Sequence, residues 1–494
     1  MPALSPTVVV GAGFAGLAAA LRLRARGEEV ILVDRLPELG GRARTFRRAG
    51  FVFDAGPTVI TAPFLFEELF ALFGRRLQDE VELLPVEPWY RMLFDDGTSF
   101  DYGGTVDDTL AEIERLAPAD RRGYLRLLEH SEKLFDKGFV ELADQPFNGW
   151  RDMLRVAPDL ARLRADRTVW SLVRRHLTDP RLRQAFSLQP LLVGGNPFTT
   201  TSIYSLIHFL ERRWGVVFPR GGTGALVAAL GRLLDDVGVE VRLGTTVEQI
   251  EVDDGRVRAV RLAGGERIVA HRVVYAGDPS FLYRRLIEPR HRRRWTDRRL
   301  DRLRHSMGLF VWYFGTRRRY PDVAHHTILF GPRYESLLRD IFDRGVLADD
   351  PSLYLHRPTA TDPALAPDGH DAFYVLAPVP HLGSGIDWDE AAEHYRQVVL
   401  DRLESTLLPG LGAELVEELH ITPRYFEREL LSHQGAGFSI QPTLTQSAGF
   451  RFHNRSEDVD GLYLVGAGTH PGAGVPGVLS SAKVVENLLE QEAA

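Results

Sequence analysis

Gly11, Gly13 and Gly16 are spaced G-x-G-x-x-G between a short β-branched run, 7–10, and an apolar stretch of helical period, 17–26. In such a turn the first glycine permits the tight bend, the second lets backbone approach a pyrophosphate, and the third lets helix pack on strand. Helix N–H groups and the positive end of the helix dipole then face the phosphates. Asp34 closes a second apolar run, 29–33, eighteen residues past Gly16, where a carboxylate bonds ribose hydroxyls. Strand, turn, helix, strand and acid together predict a dinucleotide site.

Three further stretches say which dinucleotide. In Gly40-Gly41-Arg42-Ala43-Arg44 the paired glycines allow a close turn and an arginine can reach a diphosphate. Phe53-Asp54-Ala55-Gly56-Pro57-Thr58 provides a bare backbone suited to a flat ring. Near the other end, GAGTHPGAGVPG over 466–477 leads into a helix whose N-terminus can stabilise the anionic N1/O2 edge of a reduced flavin. A cofactor reached from both ends of the chain is extended, and FAD is the expected one. Arg220-Gly-Gly-Thr-Gly-Ala225 is not a second site: Val227 stands where the third glycine belongs, so it reads as a strand-to-helix turn, and no NAD(P) site is expected.

The elements that must position these residues follow from periodicity. Residues 107–177 alternate charged and apolar residues at helical spacing. The stretch 215–276 returns to α/β character, with a helix at 225–236, strands at 240–243, 245–252, 257–262 and 267–275, and a hairpin turn at 253–255. A strand is expected at 373–380, another at 462–465, and a closing helix from 478. Residues 63–73, PFLFEELFALF, are apolar over most of a helical surface and, with 135–155, are the expected membrane-contacting helices; 290–305 hold eight arginines, read as a solvated charged helix able to approach anionic lipid.

A chain of 494 residues exceeds one simple core, so two or three packed domains are expected. Net charge −7 offers no case for nucleic-acid binding. The absence of cysteine excludes disulfides, thiolate metal ligands and cysteine nucleophiles, and no metal is expected. Residues 1–6 carry no basic leader, and no apolar run reaches 18 residues, so any membrane contact is expected to be peripheral. The compartment expected is the cytoplasm, at the inner surface of the cell membrane.

Beyond single motifs, the chain resembles the bacterial-type phytoene desaturase branch of the amine-oxidase-like flavoproteins. The resemblance rests on FDAGPTVITAP (53–63), LLVGGNPFTTTSIYSLIHFLERRWGVVFPRGGTGALV (191–227), FVWYFG (310–315), LAPVPHLG (376–383) and YLVGAGTHPGAGVPGV (463–478). Asp34 departs mildly from it, since glutamate is commoner there. The resemblance implies an α/β protein: a Rossmann-like FAD-binding domain assembled from 1–75, 215–280 and 456–494, with a mixed α+β substrate domain in 76–214 and 281–455 and a helical membrane-facing insertion within 76–214. The cofactor-binding set expected is Gly11, Gly13, Phe14, Ala15, Gly16, Asp34, Arg35, Gly41, Arg42, Gly56, Pro57, Thr58, Val247, Gly466, Gly468 and Val475.

The reaction implied is successive dehydrogenation of 15-cis-phytoene to lycopene, through partly desaturated carotenoids. Each step removes hydride to the flavin and a proton to a base. Asp152 and Arg155, three apart in a segment that also resembles the family, are the expected base and orienting charge; His208 and His470 are further candidates. With no NAD(P) site, a quinone or dioxygen is the expected electron acceptor. The apolar cluster at 203–214 is the expected substrate wall. Another carotenoid desaturase or isomerase, an amine or protoporphyrinogen oxidase, and a non-catalytic carotenoid carrier are the rival readings.

Overall fold

The computed structural model of the chain describes residues 5–147 and 149–493; residues 1–4, part of the N-terminal stretch read above, lie outside them. Strand Thr7–Val10 is central to a five-stranded sheet, flanked by Arg272–Tyr275 and Leu462–Leu464 on one side and by Val30–Val33 and Glu240–Arg242 on the other. All its pairings are parallel. Parallel strands covered on both faces need continuous aliphatic runs, which TVVV and VILV provide. Helix Phe14–Ala25 lies against this sheet, and Arg22 in it bonds Glu486 of the last helix, Val475–Ala493, at 2.6 Å and Glu68 at 3.0 Å.

A second, seven-stranded sheet runs Leu415–Ile421, Gly308–Thr316, Asp371–Val379, Leu353–His356, His326–Leu329, Tyr90–Leu93, Ser99–Tyr102. It is antiparallel except where Tyr90–Leu93 meets His326–Leu329. The period of two divides strand Gly308–Thr316 cleanly. Phe310, Trp312 and Phe314 pack with Trp388, Tyr395 and Val399 of helix Trp388–Glu404. Leu309, Val311 and Tyr313 join the core that includes helices between 106 and 214.

Three sequence expectations change. Residues 267–275 form two strands, not one: Arg267–Val269 completes an antiparallel three-stranded sheet, while Arg272–Tyr275 enters the parallel one. Residues 63–73 are core rather than surface, since helix Phe64–Ala71 buries Leu65, Phe66, Leu69 and Phe70, with Phe66 edge-on to Phe14. The arginine-rich 290–305 is not one helix. It holds a short turn, Pro289–His291, and a four-residue helix, Asp297–Leu300, on either side of fully buried Trp295. The carboxylate of Asp458 accepts the N–H groups of Arg293, Arg294 and Trp295, and so pins an irregular backbone there.

The turn at 220–225 leads into helix Thr223–Asp236, and its N-terminus is already filled. Asp54 accepts from Thr223 N at 2.9 Å and Gly224 N at 3.2 Å. A Cβ on Gly222, at φ +82°, would lie 2.6 Å from Asp54 Oδ2. Burial raises the Asp54 carboxyl to about 6, opposed by the N–H groups it accepts. Asp54→Ala should leave two buried donors unpaired, destabilising the fold by about 2 kcal/mol. Differential scanning calorimetry should record a lowered midpoint; an unchanged one would mean that the cap contributes nothing.

Candidate functional site

A single cavity of about 760 Å³ runs from the first glycine turn into the seven-stranded sheet. Of the expected cofactor-binding residues, all but Gly16 line it. Gly16 acts from behind: a Cβ there would fall 1.8 Å from Gly11 O, so the helix could not close on the strand. Gly11 itself sits at φ +106°. Gly13, by contrast, has nothing nearer than Gly40 O at 3.7 Å, and its open side faces the cavity.

Asp34 accepts from Ala12 N at 2.6 Å and Leu36 N at 2.8 Å, which holds the carboxylate at the end of its strand. Burial raises its pKa from the ordinary carboxylate value. Thr245, Thr246 and Val247 form the wall beside it. Arg42 donates to Ser432 Oγ at 2.5 Å, while its buried Nε has no partner. Burial lowers the Arg42 pKa, partly offset by Asp278, so this cation sits in a cradle that an anionic diphosphate would complete. A Cβ on Gly56 would lie 2.3 Å from Arg42 O, which keeps the 56–58 turn flat against the cavity. Gly466, Gly468 and the first residue of the last helix, Val475, close the far side. The unpartnered guanidinium nitrogen, the buried acid and the glycine cradle fit FAD.

Beyond the 56–58 turn the walls become apolar. Leu309, Val311, Ile328 and Leu376 come from the sheet, and Leu188, Leu191, Ile203, Ile207 and Leu210 from the helices. A set of polar groups stands at the junction. Thr58 Oγ1 bonds Tyr354 OH at 2.6 Å, and Tyr354 OH bonds His326 Nδ1 at 2.7 Å. His325 and His356 lie beside His326 with their Nε2 atoms 3.0 Å apart. Tyr90 OH donates to Glu211 Oε1 at 2.9 Å.

The structure does not bring Asp152 and Arg155 to this cavity. Helix Trp150–Arg162 turns Met153, Ala157, Leu160 and Ala161 inward, at i, i+4, i+7 and i+8; Arg155, two residues past Met153, is exposed on the opposite side, and Asp152 is half-buried off the lining. Spacing of three puts the two charges near one another but does not say which side of the helix faces in. His208 is buried with Nε2 2.9 Å from Phe186 O, and burial lowers it to about 4. His470 lines the cavity, but its Nε2 is 2.8 Å from Leu142 O and its pKa falls to about 4, again by burial. Sequence reading missed Glu211, Tyr354 and Asp278, which all line the cavity. Glu211 carried a signal: it falls four residues after Ile207, on the apolar side of its own helix.

The family model of flavin-containing amine oxidoreductases matches residues 14–485. A lycopene-forming phytoene desaturase of Pseudescherichia vulneris is 48% identical over 490 residues, covering 99% of this chain and 100% of that one. A neurosporene-forming phytoene desaturase of Rhodobacter capsulatus is 45% identical over 98% of this chain and 93% of its own. Among solved structures, wild-type putrescine oxidase bound to putrescine superposes with a TM-score of 0.66 at 14% identity, covering 99% of each chain, which shows a common fold.

In bound FAD, Asp34 and the 245–247 wall would face the adenosine that FMN lacks. FAD should therefore bind apoprotein roughly 100-fold more tightly than FMN, the charge-assisted bond at Asp34 alone contributing about 1.5–3 kcal/mol. Gly13→Val should abolish FAD binding by blocking the approach to the pyrophosphate. Titration calorimetry with both flavins is the check, and equal affinities would refute the adenosine assignment.

Proposed function

The chain belongs to the flavin-containing amine oxidoreductases, on their phytoene desaturase branch, and from that premise we propose that it is an FAD-dependent enzyme that takes 15-cis-phytoene by successive dehydrogenations to lycopene. The observation that carries the reading is the undivided cavity, a glycine-lined dinucleotide cradle at one end and aliphatic and aromatic side chains at the other. A C40 hydrocarbon offers no hydrogen-bonding group, so it is held by shape and by exclusion of water. An amine substrate calls for charged or caged contacts, and the inner walls from Leu188 to Leu210 and from Leu309 to Leu376 supply aliphatic ones. Bound FAD supplies the hydride acceptor. The residues of the chain do the rest: the 56–58 turn and the 466–478 loop orient the ring, and the apolar walls align a CH₂–CH₂ unit against it.

The electron acceptor in this reading is a quinone or dioxygen, because the N-terminus of helix Thr223–Asp236 is taken by Asp54 and offers nothing to a second nucleotide. Because the substrate resides in lipid, we place the enzyme on the membrane surface as a peripheral protein of the cytoplasmic side. Among the described residues no helix is long and apolar enough to cross a membrane. The mouth of the cavity supports the docking face. Residues 136–143, helix Trp150–Arg162 and the loop 444–450 contribute lining residues there, among them Phe139, Met153 and Leu444, and the same segments carry Val140, Leu154, Leu444 and Phe450 at 59%, 62%, 47% and 49% exposure. Exposed apolar side chains around an apolar opening suit delivery of a hydrocarbon from a bilayer.

Supplied with FAD, phytoene in liposomes and a quinone or air, the protein should yield products absorbing at progressively longer wavelength, ending at lycopene, without NAD⁺. A shape-reading cavity separates successive C40 intermediates by less than the roughly 1–3 kcal/mol that one methylene gives, so early release is not favoured. Colourless phytoene beside intact, reoxidisable flavin would refute the substrate. Leu154→Asp with Phe450→Asp should lower liposome flotation by about 100-fold or more in partition, each buried side chain contributing about 1.5–3 kcal/mol; unchanged flotation would move the docking face elsewhere.

A further inference from the structure

We propose that Glu211 is the proton acceptor of the dehydrogenation, its Oε2 taking the proton from the carbon next to the one that loses hydride. The proposal rests on the desaturase reading above. Several carboxylates line the cavity, and their surroundings separate them. Asp34 is held by two backbone N–H groups at the adenosine end. Asp278 Oδ1 caps a helical turn, accepting from Ser280 N at 2.9 Å and Phe281 N at 3.2 Å. Asp166 is exposed beside Arg167, and Glu429 lies by Arg35. Glu211 alone of these stands among the hydrocarbon walls, on helix Leu206–Trp214 with Ile207 and Leu210, and it is wholly buried.

One of its oxygens is positioned and the other is not engaged. Oε1 accepts from Tyr90 OH at 2.9 Å, while buried Oε2 makes no close hydrogen bond and has the Gln189 side chain as its polar neighbour. Arg212, the adjacent cation, is turned away: it donates to Gly104 O at 2.8 Å and Thr109 Oγ1 at 2.6 Å, and lies over the Trp89 ring. The carboxylate is also tied to the flavin end. Tyr90 faces the His326 ring at 5.9 Å, and His326 reaches Thr58 through Tyr354. The titratable and charged groups facing Glu211 are therefore Tyr90, Tyr102 and Arg212. Burial raises the carboxyl to about 7, opposed by Tyr90, Arg212 and Gln189, which brings the group toward the range a general base needs.

The step balances without a further reactant. One C–H bond breaks with its electron pair leaving as hydride to the flavin. The neighbouring C–H bond breaks with its proton going to Oε2 and its electron pair forming the new double bond. Hydride and proton together are the two hydrogens that the quinone or dioxygen finally receives, and their passage returns Glu211 to the carboxylate.

The test is anaerobic single-turnover reduction of the holoenzyme by phytoene in phosphatidylcholine liposomes, followed by flavin absorbance from pH 6 to 8. Wild type should accelerate as pH rises through about 7, where the carboxylate forms. Glu211→Gln should keep its flavin and lose roughly 100-fold or more in rate, with the pH rise gone, and Glu211→Asp should recover part of the rate with the pH rise restored. If Glu211→Gln does not retain flavin, Tyr90→Phe decides. Losing the donor to Oε1 should move the pH rise upward, and an unmoved rise overturns the proposal. A full rate or an unchanged pH profile in flavin-loaded Glu211→Gln overturns it as well. Wild type that fails to reduce its flavin with phytoene overturns the desaturase reading itself, a result distinct from an active enzyme indifferent to position 211.

Discussion

A Cβ at position 16 would lie 1.8 Å from Gly11 O, and the cofactor half of the molecule is organised around that contact. Because Gly16 has none, helix Phe14–Ala25 closes onto strand Thr7–Val10, and the turn between them bares its backbone to the cavity. The same closeness lets Asp34 Oδ2 reach Ala12 N at 2.6 Å, so the acid and the phosphate turn are set by one geometry. Gly13 then differs from Gly16 in kind. One is needed by the fold, and the other leaves room for a ligand.

Helix N-termini show the same division of labour. The helices starting at Phe14 and Val475 open toward the cavity, where backbone N–H groups and dipole favour an anionic ligand. The helix starting at Thr223 has an equally glycine-rich entry, yet Asp54 occupies it from the neighbouring hairpin Thr45–Arg48 and Phe51–Asp54. An internal carboxylate, rather than a ligand's phosphate, is the partner of those donors. That glycine turn therefore offers no cradle to a second dinucleotide.

Much of the fold was legible because its signals are local. The β-branched runs, the glycine turns and the 3.6-residue period of helices depend on neighbours in sequence, and the parallel strands around the first turn follow from them. What depended on facing was not legible. The apolar-faced helix Phe64–Ala71 could equally meet a bilayer or a core, and contact with Phe14 decides for the core. Eight arginines in 290–305 suggested a solvated helix, but Trp295 and the carboxylate of Asp458 impose an irregular path. Asp152 and Arg155 have the spacing of a working pair, and the inward side of their helix carries Met153 and Ala157 instead. Charge spacing along a helix is visible in sequence, whereas its rotation about its own axis is not.

Glu211 joins these levels. Its place four residues after Ile207 puts a carboxylate on an apolar helix face, which costs stability unless the group is hydrogen-bonded or neutral. Tyr90 meets half of that need, and the raised pKa meets part of the rest, since a neutral acid is cheaper to bury than a carboxylate. The water exclusion that makes the position unfavourable also suits the chemistry of a hydrocarbon. A developing allylic cation in a dry apolar pocket has no solvent to stabilise it, and a nearby carboxylate acts there at low effective dielectric. The burial that excludes water, holds the substrate by shape and raises the acid toward neutrality is thus one property of the same wall, and a local departure from hydrophobic patterning marks where it acts.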